Sequence, residues 1–201
     1  NLYKEIPQFK LMNYSMTIQE FKIIFFWEYF HRMLGRIIGL FFLIPFIYFF
    51  FIKKINRKYL IPCFLILSLI IIQGIVGWYM VQSGLVNKVS VSHYRLSLHL
   101  FFAFIIISLL FWNYLNFKLL VNKSFFNLRN KLIKLLFLLI LIQIIIGAFV
   151  SGLDAGMIYQ TWPKMNLSYF PDDINLSNFD LLNLMSNQSF VQFIHRALAY
   201  F

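Results

Sequence analysis

Residues 29–52 read YFHRMLGRIIGLFFLIPFIYFFFI, a run dominated by apolar side chains. A helix of about 20 apolar residues is long enough to cross the hydrocarbon core of a bilayer. Because lipid offers no hydrogen-bond partners, the backbone of such a segment must satisfy its own donors and acceptors, which a helix does within one segment. The stretch therefore predicts a transmembrane helix.

Three more apolar runs follow at about 59–81, 96–115 and 132–150, and a further one begins near Phe190. Hydrophobic residues make up 61% of the 201 residues and charged residues only 12%. Soluble domains carry about a quarter of charged residues. We therefore expect an all-α membrane protein, a polytopic helical bundle.

Basic residues are concentrated in two of the loops between these runs. They are Lys53, Lys54, Arg57 and Lys58 in one, and Lys118, Lys123, Arg129, Lys131 and Lys134 in the other. Short cytoplasmic loops carry an excess of Lys and Arg, so both loops are predicted on the cytoplasmic or matrix side. The net charge of +11 then indicates lipid headgroups as partners, and nucleic acid is not expected.

The four histidines all lie towards the predicted outer side of the membrane: His31, His93, His99 and His195. Three of them, without His93, sit at similar depth near the outer ends of different predicted helices. Ionisable groups inside spans are functional candidates, and two imidazoles on facing helices can hold a haem iron from both sides. The alternative for any single one is an interfacial histidine bonded to backbone or lipid.

Glu28 lies three positions before His31 and so shares its helix face. A carboxylate there could exchange a proton or stabilise a developing cation. The alternative is an ion pair with Arg32, four residues later. Arg32 and Arg196 each follow a histidine directly, and arginine binds carboxylates such as haem propionates. Binding of lipid headgroups is the alternative for both arginines.

The tetrapeptides HRML (31–34) and HRAL (195–198) each open a predicted span from the outside. This recurrence indicates an internal duplication, with two halves that each contribute a haem site. In a weaker echo, Gln73 and Gln143 each precede a glycine by four residues, Gly77 and Gly147. Two helices that leave the membrane on the same side would also explain the echo.

Five stretches together resemble haem A synthases, particularly those of the mitochondrial and α-proteobacterial type. They are EYFHRMLGR (28–36), GWYMVQSGL (77–85), YRLSLHL (94–100), SGLDAG (151–156) with WPKM (162–165), and VQFIHR (191–196). The resemblance implies an eight-helix architecture of two similar four-helix halves, of which this chain lacks helix one and helices seven and eight. It also implies oxidation of the ring methyl of haem O to the formyl group of haem A, for terminal oxidases.

By this resemblance, His31 and His99 ligate the iron of the substrate haem, and Glu28 is the catalytic carboxylate. In the other half, the resemblance makes His195 an axial ligand of a cofactor haem b. From their positions directly after a histidine, Arg32 is expected to bind the substrate haem and Arg196 the cofactor haem. The partner ligand of His195 is expected on helix eight. The alternative function is a bis-histidine b-type cytochrome subunit for electron transfer. Glu28 favours the enzyme, because electron transfer needs no carboxylate there.

Four segments are expected along the chain. They are an outer N-terminal loop segment (1–28), the helices of the N-terminal half with the substrate haem site (29–115), a cytoplasmic linker (116–131), and the start of the C-terminal half with the cofactor haem site (132–201). The expected location is a bacterial inner membrane or the mitochondrial inner membrane, with the histidines towards the periplasm or intermembrane space. Expected partners are haem O, membrane lipid, haem O synthase, an electron-transfer partner and a second copy of the chain.

Overall fold

The computed structural model describes residues 2–84, 89–118, 130–174 and 180–200. Within these residues the α-helices are α1 Pro7–Leu11, α2 Ile18–Phe51, α3 Arg57–Gly84, α4 His93–Lys118, α5 Lys131–Gly152, α6 Leu181–Leu184 and α7 Gln188–Leu198. Short 3-10 helices form at Leu2–Glu5 and Ala155–Met157. The same residues contain no β-strand, only an isolated bridge between Met165 and Ser168.

Helices α2, α3, α4 and α5 are each long and apolar enough to cross a membrane. Most of their large apolar side chains are exposed. Lipid tails are as apolar as these side chains, so exposed apolar surface suits a helix that lies in a bilayer. The predicted all-α, polytopic membrane protein is confirmed, while the eight-helix duplicated architecture stays a prediction.

Helix α2 begins at Ile18, well before the predicted start near Tyr29. A capping box fixes this end: the Thr17 hydroxyl accepts from the Glu20 backbone N–H (3.3 Å), and the Glu20 carboxylate accepts from the Thr17 N–H (2.8 Å). Residues 18–28 are therefore helical, although the sequence had suggested a loop segment up to residue 28.

The chain divides into two compact units, residues 1–90 with 102–122 and residues 91–101 with 123–201. In the first unit, α2 packs against α3. The Phe46 ring meets the edge of the Phe64 ring with centroids 4.9 Å apart, and Phe46 is buried.

Most of the predicted linker 116–131 lies outside the described residues, so the predicted domain division stays a prediction.

In the second unit, the end of α5 packs against the start of α4. A Cβ at Gly152 would lie 2.9 Å from Cα of His93, so only glycine lets the two helices approach this closely. The Phe149 ring lies 5.1 Å from the rings of both His93 and Tyr94. His93, which received no role from the sequence, therefore helps to pack α4 against α5.

The loop after α5 is attached to α7 by Gln192, whose side chain is buried. Its Oε1 accepts from the backbone N–H of Tyr159 (3.2 Å), and its Nε2 donates to the carbonyl of the same residue (2.9 Å). One amide side chain thus replaces the backbone partners that Tyr159 lacks in an irregular loop.

Asp173 makes a second attachment between this loop and α7. Its carboxylate accepts from the Tyr159 hydroxyl (2.9 Å) and the Ser189 hydroxyl (2.7 Å). Burial raises the pKa of the Asp173 carboxyl, but the hydrogen bonds from Ser189 and Tyr159 outweigh it, and the net pKa lies below the ordinary value. Burial, together with the neighbouring Asp173, raises the pKa of the Tyr159 hydroxyl, so the phenol stays a donor at neutral pH.

This attachment should depend on pH. Because the pKa of Asp173 is lowered by folding, its stabilising effect is fully present above the ordinary aspartate pKa of about 3.9 and is lost as the pH falls through the lower folded value. Amide hydrogen exchange in residues 154–173, corrected for intrinsic rates, should be steady from about pH 7 to 5 and accelerate below about pH 4.

In the Asp173→Ala variant, the backbone amides of residues 154–173 should exchange quickly at every pH. Asp154→Asn is the matched control, since Asp154 is an exposed carboxylate in the same loop whose φ of 52° asparagine also tolerates. Equal exchange in the wild type and in Asp173→Ala at neutral pH would show that this attachment does not hold the loop.

Candidate functional site

Glu28 and Arg32 form an ion pair on α2, with Arg32 Nη1 3.6 Å from Glu28 Oε2. The side chains are 60% and 43% exposed, respectively, so the pair is expected to contribute about 0–1 kcal/mol to stability. His31 lies next to Arg32 and is also exposed. The ion pair that the sequence offered as an alternative is thus present, and it leaves Glu28 on the face that His31 shares.

His31 and His99 belong to different compact units. His31 lies on α2, and His99 lies on α4 and is half-buried. Their shared ligation of one haem therefore stays a prediction.

His195 lies on α7 and its ring faces α5. A Cβ at Gly147 would be 3.1 Å from Cε1 of the imidazole, so the absence of a side chain at Gly147 makes room for the ring. The backbone carbonyl of His195 accepts from Nε2 of Gln143 at 3.1 Å. One face of α5 thus holds both the backbone and the ring of His195.

The imidazole of His195 also fits the role of a haem ligand. Its Nδ1 is buried and has no hydrogen-bond partner among the described residues. Buried polar atoms are nearly always bonded, so the described residues alone do not satisfy this ring, and a neutral imidazole is a strong ligand for iron through either of its nitrogens. Elsewhere in the described part of the chain, no three side chains of His, Cys, Asp or Glu come together as a metal-binding group.

Arg196 anchors the outer loop. Its Nη1 donates to the carbonyl of Thr161 at 2.8 Å, and its Nη2 donates to the carbonyl of Tyr159. Arginine has five N–H donors, so these two bonds leave others for a carboxylate. The sequence had suggested a propionate or a lipid headgroup as the partner, and it missed the loop carbonyls because they lie far away along the chain.

An open pocket of about 450 Å³ lies between this loop and α7. It is lined by Trp162, Pro163, Met165, Tyr169, Phe193, Arg196, Ala197 and Tyr200. Four of these eight residues are aromatic, and Arg196 is the one charged residue among them. The pocket was not foreseen from the sequence, although the WPKM motif supplies part of its wall.

Sequence reasoning gave no role to Gln192 or Asp173, and it saw Gln143 and Gly147 only as a pattern. Gln192 lies within the VQFIHR motif, where an amide at the start of an apolar helix was a signal that could have been followed. The Gln-x-x-x-Gly spacing in α5 places both residues on one helix face. The structure shows what that face contacts, namely His195.

Comparison with known proteins gives a consistent result. The family model for cytochrome oxidase assembly proteins, COX15-CtaA, matches residues 1–201. A protein named heme A synthase from Pelagibacter ubique is 45% identical over 98% of this chain and 59% of its own length. Proteins of the same name from Wolbachia pipientis (42% identical, 98% of this chain, 57% of their own length) and Flavobacterium psychrophilum (41%, 99% and 60%) also match.

The chain therefore spans between 57% and 60% of the length of these relatives. No solved structure matches it. Because the family model covers every residue, and the apolar helices and the motifs agree with it, the chain belongs to the COX15-CtaA family of cytochrome oxidase assembly proteins.

Proposed function

We propose that this chain forms the greater part of a haem A synthase, which oxidises the ring methyl of haem O to the formyl group of haem A. The observation that carries the proposal is the 45% identity to a heme A synthase over 98% of the chain. The ion-paired Glu28 beside His31, and the unpaired nitrogen of His195, are consistent with it.

In the proposed substrate site, His31 and His99 ligate the iron of haem O and Arg32 binds the same haem. Glu28 is the catalytic carboxylate: it takes up or releases a proton near the methyl group, or stabilises positive charge that develops there. Arg32 Nη1 lies 3.6 Å from Glu28 Oε2, and this ion pair keeps the carboxylate on the same side of α2 as His31.

In the proposed cofactor site, His195 would hold the iron of a haem b and Arg196 would bind the same haem. A bound haem b would supply one-electron transfer to the oxidation. Gly147 leaves the space that the imidazole occupies, and Arg196 keeps N–H donors for a propionate while it holds the loop.

We also propose the surroundings of the enzyme. The membrane is a bacterial inner membrane or the mitochondrial inner membrane, with the histidines towards the periplasmic or intermembrane side. The halves are residues 29–115 and 132–201, joined by the linker 116–131. Haem O synthase would deliver the substrate, and an electron-transfer partner would exchange electrons with the haem. The other proposed partners are membrane lipid and a second copy of the chain.

Removal of the Glu28 carboxylate should stop the reaction. In cells that make haem O and express the protein from its complete gene, Glu28→Ala should lower haem A formation by about 10²-fold or more, the usual range for a lost acid–base group. The amount of bound haem should stay unchanged, because the histidine ligands remain. Pigment extraction and chromatography measure both quantities.

Two variants serve as controls for Glu28→Ala. Glu20→Gln changes a carboxylate on the same helix and should leave conversion intact, and Arg32→Gln removes the ion pair but keeps the Glu28 carboxylate. Conversion should persist in Arg32→Gln, with weaker haem binding. If Glu28→Ala still makes haem A, Glu28 has no catalytic role; if the wild type leaves haem O unchanged, the proposed enzyme function is wrong.

The proposed orientation can be tested with added cysteines. Cys63 is the sole cysteine of these 201 residues, so Cys63→Ser leaves this part of the protein without a thiol. Leu167→Cys, at a position 89% exposed in the loop after α5, should react with a membrane-impermeant maleimide on intact cells or mitoplasts. Asn56→Cys, between α2 and α3, should react only after permeabilisation. The reverse pattern would invert the proposed orientation.

A further inference from the structure

Two buried polar atoms lie on residues that contact each other where α5 packs against α7. They are Oε1 of Gln143 and Nδ1 of His195, and neither has a hydrogen-bond partner among the described residues. A buried acceptor or donor without a partner loses its bonds to water and gains nothing in return. Two such atoms on neighbouring residues, one an acceptor and one a possible donor, need a common explanation.

The orientation of the Gln143 amide is fixed by its other bond. Its Nε2 donates to the backbone carbonyl of His195 at 3.1 Å, and a carbonyl can only accept. The NH₂ group must therefore lie at that carbonyl, which leaves Oε1 as an acceptor without a donor. A flipped amide would bring two carbonyl oxygens together and would not resolve the unpaired atoms.

The ring of His195 lies on the same face of α5. A Cβ built at Gly147 would lie 3.1 Å from Cε1 of His195. It would lie 3.8 Å from Nδ1 and 3.9 Å from Nε2, so the two ring nitrogens are almost equally distant from it. The Cε1 edge of the ring thus points at α5. Gln143 lies one helical turn before Gly147, so the amide and the glycine contact the same histidine from one face.

We propose that Gln143 is a positioning residue for His195: its Oε1 accepts a hydrogen bond from Nδ1–H when Nε2 binds the haem iron. This inference rests on the proposed function, because His195 must be a haem ligand. Ligation through Nε2 places the ring proton on Nδ1, and metal-bound histidines almost always donate that proton to an acceptor. Gly147 keeps the ring within reach of the amide.

Such a hydrogen bond has a measurable effect on the haem. It makes the imidazole a stronger electron donor, which favours the oxidised iron and lowers the midpoint potential. Gln143→Leu removes the acceptor, so the midpoint potential should rise. Gln143→Glu loses the N–H that Gln143 donates to the His195 carbonyl, but it keeps the side-chain shape and supplies a stronger acceptor for Nδ1–H, so the potential should fall below that of the wild type.

The experiment is a potentiometric titration of the b-type haem spectrum, on protein expressed from its complete gene. Gln160→Leu is the control for Gln143→Leu, since it removes an exposed amide from the same compact unit and should leave the potential unchanged. Gly147→Ala should reduce the bound b-type haem. Gly156→Ala should not, because its new Cβ would meet its nearest neighbour, Cγ1 of Val150, at an ordinary 3.7 Å.

The outcomes separate this inference from the proposed function. His195→Ala should abolish the b-type spectrum; if the spectrum survives, the assignment of His195 fails and the role of Gln143 fails with it. If His195→Ala loses the haem but both Gln143 variants titrate at the wild-type potential, only the role of Gln143 is wrong. Shifts of both variants in the same direction would indicate packing alone and would also overturn it. If Gln143→Leu does not fold, the isosteric Gln143→Glu still decides the question.

Discussion

This structure depends on one constraint: every backbone polar group in an apolar surrounding needs a hydrogen-bond partner. In α2 to α5 the helix itself meets that need, so their side chains are free to be apolar and exposed to lipid. The loop after α5 has no such regular pattern. There, side chains of α7 form the hydrogen bonds that a regular helix would supply. Gln192 bonds to both the N–H and the carbonyl of Tyr159, and Arg196 donates to the carbonyls of Tyr159 and Thr161.

Helix α7 therefore contacts both the loop after α5 and α5 itself, each with a different face. Gln192 and Arg196 are four residues apart, lie on one face, and hold the loop. His195 lies on another face and meets α5 through Gln143 and Gly147. The same short helix thus fixes both the loop and the candidate haem ligand, so a change that loosens the loop is expected to disturb the histidine as well.

Glycines on α5 show how close packing and chemistry depend on the same residues. Small residues in membrane helices usually serve helix packing, and Gly152 does so where α4 begins. Gly147 instead makes room for an imidazole ring. The Glu28–Arg32 ion pair on α2 is a contrasting case, since two exposed groups at a spacing of four residues need no other element to meet.

The sequence by itself determined the features that depend on neighbouring residues. Hydropathy over about 20 residues predicted the membrane helices. The spacing of Glu28 and Arg32 offered their ion pair as one of two alternatives, and the Thr17-x-x-Glu20 pattern was there to mark the start of α2. The tertiary structure alone decided that Gln192 holds Tyr159, 33 residues away, and that Gln143 binds His195, 52 residues away. Such pairs leave no local pattern, because their partners are brought together only when helices pack.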